Sequence, residues 1–170
     1  MIKTIVQDGH PALRQIADAI RPEEISLLEI QSLIKDMQES LATQKDGVAL
    51  AAPQIGITKR IFVVAPFIFD EPGNAQLVYI NPEIVSTSKS SKWKHEGCLS
   101  CRWKTGEVDR KLEATIIAYD EYGNKFEETA DGLLAHIFQH ETDHLQGILF
   151  TDKARDLRDM TDDEIADSKK

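Results

Sequence analysis

Two histidines and one glutamate near the C-terminal end of the chain form an H-E-x-x-H pattern, with His140, Glu141 and His144. Residues 131–146 carry apolar side chains at helical spacing and no proline, which predicts a helix. On a helix, positions i and i+4 lie about 40° apart around the axis and about 6 Å apart along it, so both imidazoles can bind one metal ion. Glu141 projects beside them, where a carboxylate can hold a proton close to a metal-bound water. The pattern predicts a metal site whose third ligand comes from elsewhere in the chain.

The only two cysteines, Cys98 and Cys101, are spaced as C-x-x-C. A thioredoxin-like redox pair would open a helix within a βαβ unit, whereas residues 102–110 are charged and turn-like. Half of a zinc ribbon would need a second C-x-x-C, which the sequence lacks. One cysteine can instead be the third ligand, since two histidines and a thiolate suit zinc or ferrous iron and leave a position for water. We favour Cys98.

Length and charge limit the classes of protein that this helix can belong to. A chain of 170 residues is most simply one domain, and its apolar runs are too short to span a bilayer. With 20 basic and 29 acidic residues the net charge is −9, which argues against binding of nucleic acid or of an anionic membrane. The first ten residues lack a signal-peptide pattern, so we expect a cytoplasmic protein, or an organellar or phage-encoded one if the source requires it.

The elements predict an α+β fold, in which antiparallel β-sheets pack around a central C-terminal helix that carries the H-E-x-x-H pattern. Strand-like runs precede that helix instead of alternating with helices, which favours antiparallel sheets. These runs are residues 2–6, as a short edge strand, and residues 60–65, 76–81, 111–119 and 125–129. One long N-terminal helix is expected from Pro22 to residues 44–47, with Ile, Leu and Met at helical spacing.

Small residues crowd the segment 47–56, where one polar amide, Gln54, stands among apolar neighbours. Backbone can approach a ligand closely at such a segment, and the amide can stabilise a developing oxyanion. The segment can equally be a tight crossing of backbone against a helix, with Gln54 exposed. The residues alone leave both interpretations open.

Three separated segments, residues 47–56, 96–100 and 139–144, resemble in this order the three signature motifs of the peptide deformylase family. The resemblance covers nearly the whole chain, up to about Asp156. It implies a metal-dependent hydrolase that removes the N-formyl group from the N-terminal formylmethionine of newly made polypeptides and releases formate. It also implies a single catalytic domain over residues 1–170, in which we expect about residues 156–170 to be a mobile acidic tail.

The resemblance assigns roles to individual residues. Cys98, His140 and His144 are the implied ligands of one divalent metal ion, which we expect to be Fe²⁺ in vivo, with Zn²⁺, Ni²⁺ or Co²⁺ possible in preparations. Glu141 is the implied general acid and base, while the Gln54 side chain and the Leu99 backbone N–H are the implied oxyanion donors. The implied substrate-binding residues are Gly47, Val48, Ala49, Glu96, Leu133, His136 and Ile137.

Some positions depart from the family pattern or extend it. Ala49 stands where the family usually has a second glycine, and Arg102 stands where it often has proline. Arg110 is by resemblance a candidate ion-pair partner for Asp143. Residues 151–170 contain seven acidic and five basic residues, which gives little support for docking on the ribosome near its exit site through a basic helix.

Two other functions remain as alternatives. A zinc peptidase takes its third ligand downstream of the H-E-x-x-H pattern, where Glu164 is the only glutamate among the 26 residues that follow His144. A catalytically weak deformylase-like protein would bind formylated N-termini without hydrolysing them. Intact Glu141 and Gln54 count against that second alternative, because mere binding needs neither.

Overall fold

The fold is given by a computed structural model that describes residues 1–71, 73 and 75–168. The α-helices of this part of the chain are α1 (Leu28–Ala42), α2 (Gly132–His144) and α3 (Asp162–Ser168). The strands are β1 (Ala49–Ala51), β2 (Ile61–Val64), β3 (Val78–Thr87), β4 (Ser91–Glu96), β5 (Lys104–Lys111), β6 (Glu113–Tyr119), β7 (Lys125–Asp131) and β8 (Arg155–Asp159). None of the helices among these residues has both the length and the apolar character that crossing a bilayer requires.

The strands form two antiparallel sheets, as expected from their order along the chain. Five strands pair in the order β1-β2-β3-β6-β7, and three pair in the order β4-β5-β8. Helix α2 contacts β1, β3, β6 and β7 of the larger sheet and also β5 of the smaller one. It therefore joins the two sheets, and a residue on α2 can meet side chains from both.

Strand β2 lies between the two apolar clusters that cover the faces of the larger sheet. Its four residues are all buried and alternate between two apolar clusters, as successive side chains of a strand do. Ile61 and Val63 belong to the cluster that contains the buried face of α1, while Phe62 and Val64 belong to the cluster that contains α2. Phe62 also stacks on Tyr79 at a centroid distance of 4.5 Å. This packing fixes α2 against the sheet.

Helix α1 is shorter than predicted, since it begins at Leu28 and not at Pro22. The segment Pro22–Glu24 is a separate 3₁₀ helix, and Leu27 has an extended backbone with ψ of 146°. The carbonyl of Ile25 accepts a hydrogen bond from the Gln31 side chain at 2.8 Å. The chain therefore turns here before α1 starts. Ile25, which fits the apolar spacing of a continuous helix, is buried in this turn.

The predicted edge strand at residues 2–6 is wrong, because this segment joins two loops and does not lie beside a strand. The Val6 N–H donates to the Gln54 carbonyl at 2.9 Å, and the Asp8 N–H donates to the Ser100 carbonyl at 2.8 Å. Residues 6–8 thus tie together the segments that carry Gln54 and Leu99.

The runs predicted at residues 60–65, 76–81, 111–119 and 125–129 correspond to β2, β3, β6 and β7. The segment 102–110 differs from its expected turn-like structure, because most of it belongs to β5, whose residues 106–111 pair with the whole of β4. The inward side of β5 is formed by Gly106, Val108 and Arg110. Because two of these three buried residues are a glycine and an arginine, β5 lacks the alternation of apolar and polar side chains that predicts a strand.

The segment in which we expect a mobile acidic tail contains regular secondary structure. Residues 155–159 form β8, which pairs with β5, and α3 follows it. The Arg158 guanidinium donates to both carboxylate oxygens of Glu164, at 2.8 and 2.7 Å, which links the strand to the helix. Residues 169 and 170 of the expected tail lie outside the described residues.

Candidate metal centre and substrate pocket

Three side chains from two separate parts of the chain meet at the centre of the molecule. Cys98 lies in the loop after β4, whereas His140 and His144 lie one turn apart on α2. Their ligand atoms are all within 4.8 Å of one another, and Cys98 Sγ is 3.2 Å from His144 Nε2. Ligand atoms bound to one zinc or similar ion lie about 2.0–2.3 Å from it, so this spacing fits a shared divalent ion. The structure thus brings together the three residues that the sequence singled out.

The protonation of His144 also suits a metal ion. Burial holds the pKa of His144 well below its ordinary value, which keeps this imidazole neutral, the form that binds metals. A hydrogen bond with Cys101, together with burial, raises the pKa of the Cys98 thiol. A cation bound at the site would displace this proton, because the thiolate is the form of cysteine that binds metals.

Glu141 lies beside the cluster. Its side chain is buried, and its Oε2 has no hydrogen-bond partner among the described residues. Burial raises the pKa of Glu141 to about 7, because the charged form loses its hydration. A carboxyl group with such a pKa can both accept and return a proton near neutral pH, which is what general acid–base catalysis requires.

Glu96 is the hub of a buried hydrogen-bond network next to the cluster. Its carboxylate accepts hydrogen bonds from Arg110 Nε at 2.6 Å and Arg110 Nη2 at 3.1 Å, and it contacts His136 Nε2 at 2.7 Å and His140 Nδ1 at 2.8 Å. Burial opposes its charge, but the hydrogen bonds from His136, His140 and Arg110 hold the pKa of Glu96 far below its usual range. Because Nδ1 of His140 is engaged by Glu96, its Nε2 is the nitrogen that remains for a metal ion.

The expected ion pair between Arg110 and Asp143 is confirmed, with Nη1 and Oδ2 2.6 Å apart. Asp143 also contacts the ammonium of Lys153 at 2.7 Å. Arg110 lies on β5 and Asp143 on α2, so this pair fixes the metal helix to the smaller sheet. His136 is part of the same network through Glu96.

Gln54 is buried in the 3₁₀ helix Ala52–Ile55, so the interpretation of an exposed amide is wrong. Its Oε1 accepts a hydrogen bond from the Ala51 N–H at 2.8 Å, which fixes the orientation of the amide. Its Nε2 therefore faces Cys98 Sγ at 3.4 Å and Ser100 Oγ at 3.3 Å. The amide donor is held next to the candidate metal ligands.

Gln7 holds the segment that carries Leu99, a role that sequence reasoning missed. Gln7 Nε2 donates to the Leu99 carbonyl at 2.9 Å, and Gln7 Oε1 accepts from the Arg102 N–H at 3.2 Å. No sequence signal marks this glutamine, because it follows an alternating run that suggests an ordinary strand.

A cavity of about 420 Å³ opens beside Cys98, His140 and Glu141. All seven residues predicted to bind substrate line it, and so do Gln54 and Leu99; the seven are Gly47, Val48, Ala49, Glu96, Leu133, His136 and Ile137. Further lining residues come from β4, from the start of β5 and from the C-terminal segment, in particular Lys94, Lys104 and Met160. No sequence pattern predicts that the C-terminal segment lies at this cavity.

Comparison with known proteins decides the family. The family model described as polypeptide deformylase matches residues 2–160. Peptide deformylase 2 of Clostridium perfringens is 37% identical over 161 residues, which cover 95% of this chain and 98% of that protein. The chain belongs to the peptide deformylase family.

Solved deformylase structures share the fold. A deformylase from Legionella pneumophila matches with a TM-score of 0.82 and 38% identity, over 92% of this chain and 88% of that one. A Met-Ala-Ser-bound class I type b deformylase from Acinetobacter baumannii matches with a TM-score of 0.79 and 31% identity, over 90% and 98% of the two chains. The candidate Cys/His/His cluster agrees with a family of metalloenzymes.

The two departures from the deformylase pattern both line the cavity. Ala49 is buried in the apolar cluster that contains α2. Arg102 forms an ion pair with Asp46, which also lines the cavity, and the Arg102 guanidinium lies 4.3 Å from the centre of the Trp103 ring. In this chain the position where the family often has proline therefore carries an arginine whose ion pair is part of the cavity lining.

Replacement of Arg110 by alanine should lower the free energy of unfolding by about 3–5 kcal/mol, because it leaves the buried Glu96 carboxylate without its cation. Urea denaturation of the metal-free variant, compared with the metal-free parent, measures this change.

Arg155→Ala is the matched control. Arg155 forms an ion pair with Glu107 at 2.8 Å, but its side chain is 51% exposed, so its loss should cost about 1 kcal/mol or less. An equal decrease in the free energy of unfolding in Arg110→Ala and Arg155→Ala would contradict a stabilising role of the buried Glu96–Arg110 network.

Proposed function

We propose that the chain is a metal-dependent hydrolase that removes the N-formyl group from the N-terminal formylmethionine of newly made polypeptides and releases formate, with residues 1–170 acting as one catalytic domain. The observation that carries the proposal is the meeting of three candidate metal ligands with the unpartnered Glu141 carboxyl at one cavity. Membership of the deformylase family supports the choice of reaction.

Cys98, His140 and His144 would hold the metal ion, which we propose to be Fe²⁺ in the cell, with Zn²⁺, Ni²⁺ or Co²⁺ able to replace it in preparations. A divalent ion bound there supplies a Lewis acid that polarises the formyl carbonyl and acidifies a water molecule. A thiolate and imidazoles are ligands that suit iron and zinc, whereas magnesium and calcium prefer oxygen.

Glu141 moves the proton in the proposed reaction. It accepts a proton from the attacking water as the oxygen of that water bonds to the formyl carbon. It then gives the proton to the amide nitrogen while the carbon–nitrogen bond breaks, so that formate and a free α-amine leave. A pKa of about 7 for Glu141 supports both steps near neutral pH.

Gln54 and Leu99 stabilise the negative charge that develops on the formyl oxygen. The Gln54 Nε2 donor is oriented by the bond between its Oε1 and the Ala51 N–H. The Leu99 backbone is held by Gln7, so its N–H is positioned before substrate binds. Donors that are already in place need no reorganisation when the charge appears.

The methionine side chain would bind between Val48, Leu133 and Ile137, with the His136–Glu96 pair closing the polar side. Leu133 is 52% exposed in the free chain, so methionine binding removes apolar surface from water on both partners. Burial of this kind contributes about 25 cal/mol per Å².

A zinc peptidase has less support, because the residue it would use as third ligand is already bound. The carboxylate of Glu164 in α3 accepts hydrogen bonds from Arg158 and from the Thr161 N–H. We include the ribosome only as a weak partner near its exit site, because α3 has three acidic residues in its first turn and no basic residue in its last.

Metal-loaded protein should release formate from formyl-Met-Ala-Ser, measured with a coupled formate assay, and should leave Met-Ala-Ser intact. Glu141→Gln should keep a full equivalent of metal and lose about 10²–10⁴-fold in kcat, because it cannot move the proton. Glu127→Gln, which changes an exposed glutamate on β7, should keep the parent rate. Cleavage of Met-Ala-Ser without formate release would overturn the proposed function, and so would full activity of Glu141→Gln.

Protein isolated without oxygen should contain about one equivalent of iron, and Cys98→Ser should contain far less, because a thiol ligand is lost. Elemental analysis of both preparations measures this. A parent protein isolated in the same way with zinc as its main metal would contradict the assignment of iron.

A further inference from the structure

The cavity extends beyond the pocket proposed for methionine. Its volume of about 420 Å³ lies in the range that holds a whole small ligand, not one side chain. A polypeptide with its formyl group at the metal centre has to leave through the open side of the cavity. The residues that follow methionine therefore pass the lining side chains that the proposed catalytic step does not use.

Lys94 is one of these unused lining residues, and strand geometry places it near the metal centre. It lies two residues before Glu96 on β4, so both side chains point to the same face of the strand. Two residues of a strand span about 7 Å, and the Glu96 carboxylate contacts His140 Nδ1 at 2.8 Å. A peptide advances about 3.3–3.6 Å per residue, so Lys94 lies within reach of the first few residues after methionine.

The other basic residues of the lining already have acidic partners. Arg102 is paired with Asp46, and Lys104 lies 3.2 Å from Asp159. Lys94 lines the cavity without a carboxylate partner in the described part of the chain. In a protein with a net charge of −9, this ammonium group is a local positive charge that a substrate carboxylate can neutralise.

We propose that Lys94 makes this chain prefer formylated peptides that carry aspartate or glutamate within the first residues after methionine. The preference rests on the proposed deformylase function and adds a substrate class to it. It arises from an ion pair between the substrate carboxylate and the Lys94 ammonium, formed while the formyl group occupies the metal centre.

The test compares formyl-Met-Ala-Asp and formyl-Met-Ala-Asn, and also formyl-Met-Asp-Ala and formyl-Met-Asn-Ala, all as C-terminal amides. Asparagine matches aspartate in shape, and the amides remove the terminal carboxylate, which would otherwise mimic an acidic side chain. We expect kcat/KM for formate release to be about 3- to 10-fold higher for the aspartate peptide of at least one pair, as for a partly exposed ion pair. The ratio should fall towards one as salt screens the charges.

Variants assign the preference to one side chain. Lys94→Ala should reduce the aspartate-to-asparagine ratio to about one, and Lys94→Glu should reverse it. Lys92→Ala is the matched control, because Lys92 is an exposed lysine of the same strand that does not line the cavity, and this variant should keep the parent ratio.

Equal kcat/KM for aspartate and asparagine peptides in the parent would overturn the inference while formate release still supports the function. A preference that survives in Lys94→Ala would also overturn it. No formate from any of the four peptides would instead mark a failure of the proposed function.

Discussion

The buried carboxylate of Glu96 is the group on which the rest of the site depends. It lies at the end of β4, is held by Arg110 of β5, and contacts His136 and His140 of α2. Removal of a charge from water costs several kcal/mol, and only a cation and several hydrogen bonds offset that cost. These partners come from two strands and one helix, so the network forms only when the elements have their native arrangement.

The same network connects folding with chemistry. The Glu96 carboxylate engages Nδ1 of His140 and so leaves Nε2 facing the cavity. Arg110 also donates a hydrogen bond to Asp143, which precedes His144 on the same helix. The larger sheet packs against α2 through Phe62 and Tyr79, which both contact the ring of Phe138 on the helix. A helix fixed on both sides presents two imidazoles and Glu141 at constant positions, which a catalytic site requires.

Much of this arrangement could be predicted from sequence. The spacing of His140 and His144 needs only helical geometry, and the order of strands before α2 predicts antiparallel sheets. The family resemblance, confirmed by the comparisons, led to the Arg110–Asp143 pair.

What the sequence did not predict follows from tertiary contacts. The sequence does not predict β5, because its inward residues include Arg110, whose burial depends on Glu96, 14 residues away along the chain. The separate turn before α1 depends on Gln31, and the support of Leu99 depends on Gln7, both through hydrogen bonds to backbone carbonyls. The sequence also does not predict β4, the strand that places Lys94 on the same face as Glu96 and so close to the metal centre.

The central claim is that Cys98, His140 and His144 bind one metal ion together. X-ray absorption spectroscopy of zinc-loaded protein tests it directly. We predict one sulfur at about 2.3 Å and nitrogen at about 2.0–2.1 Å from the metal. The sulfur signal should be absent in metal-loaded Cys98→Ser and retained in Cys101→Ser. A shell of nitrogen and oxygen alone in the parent protein, or sulfur that persists in Cys98→Ser, would contradict the account.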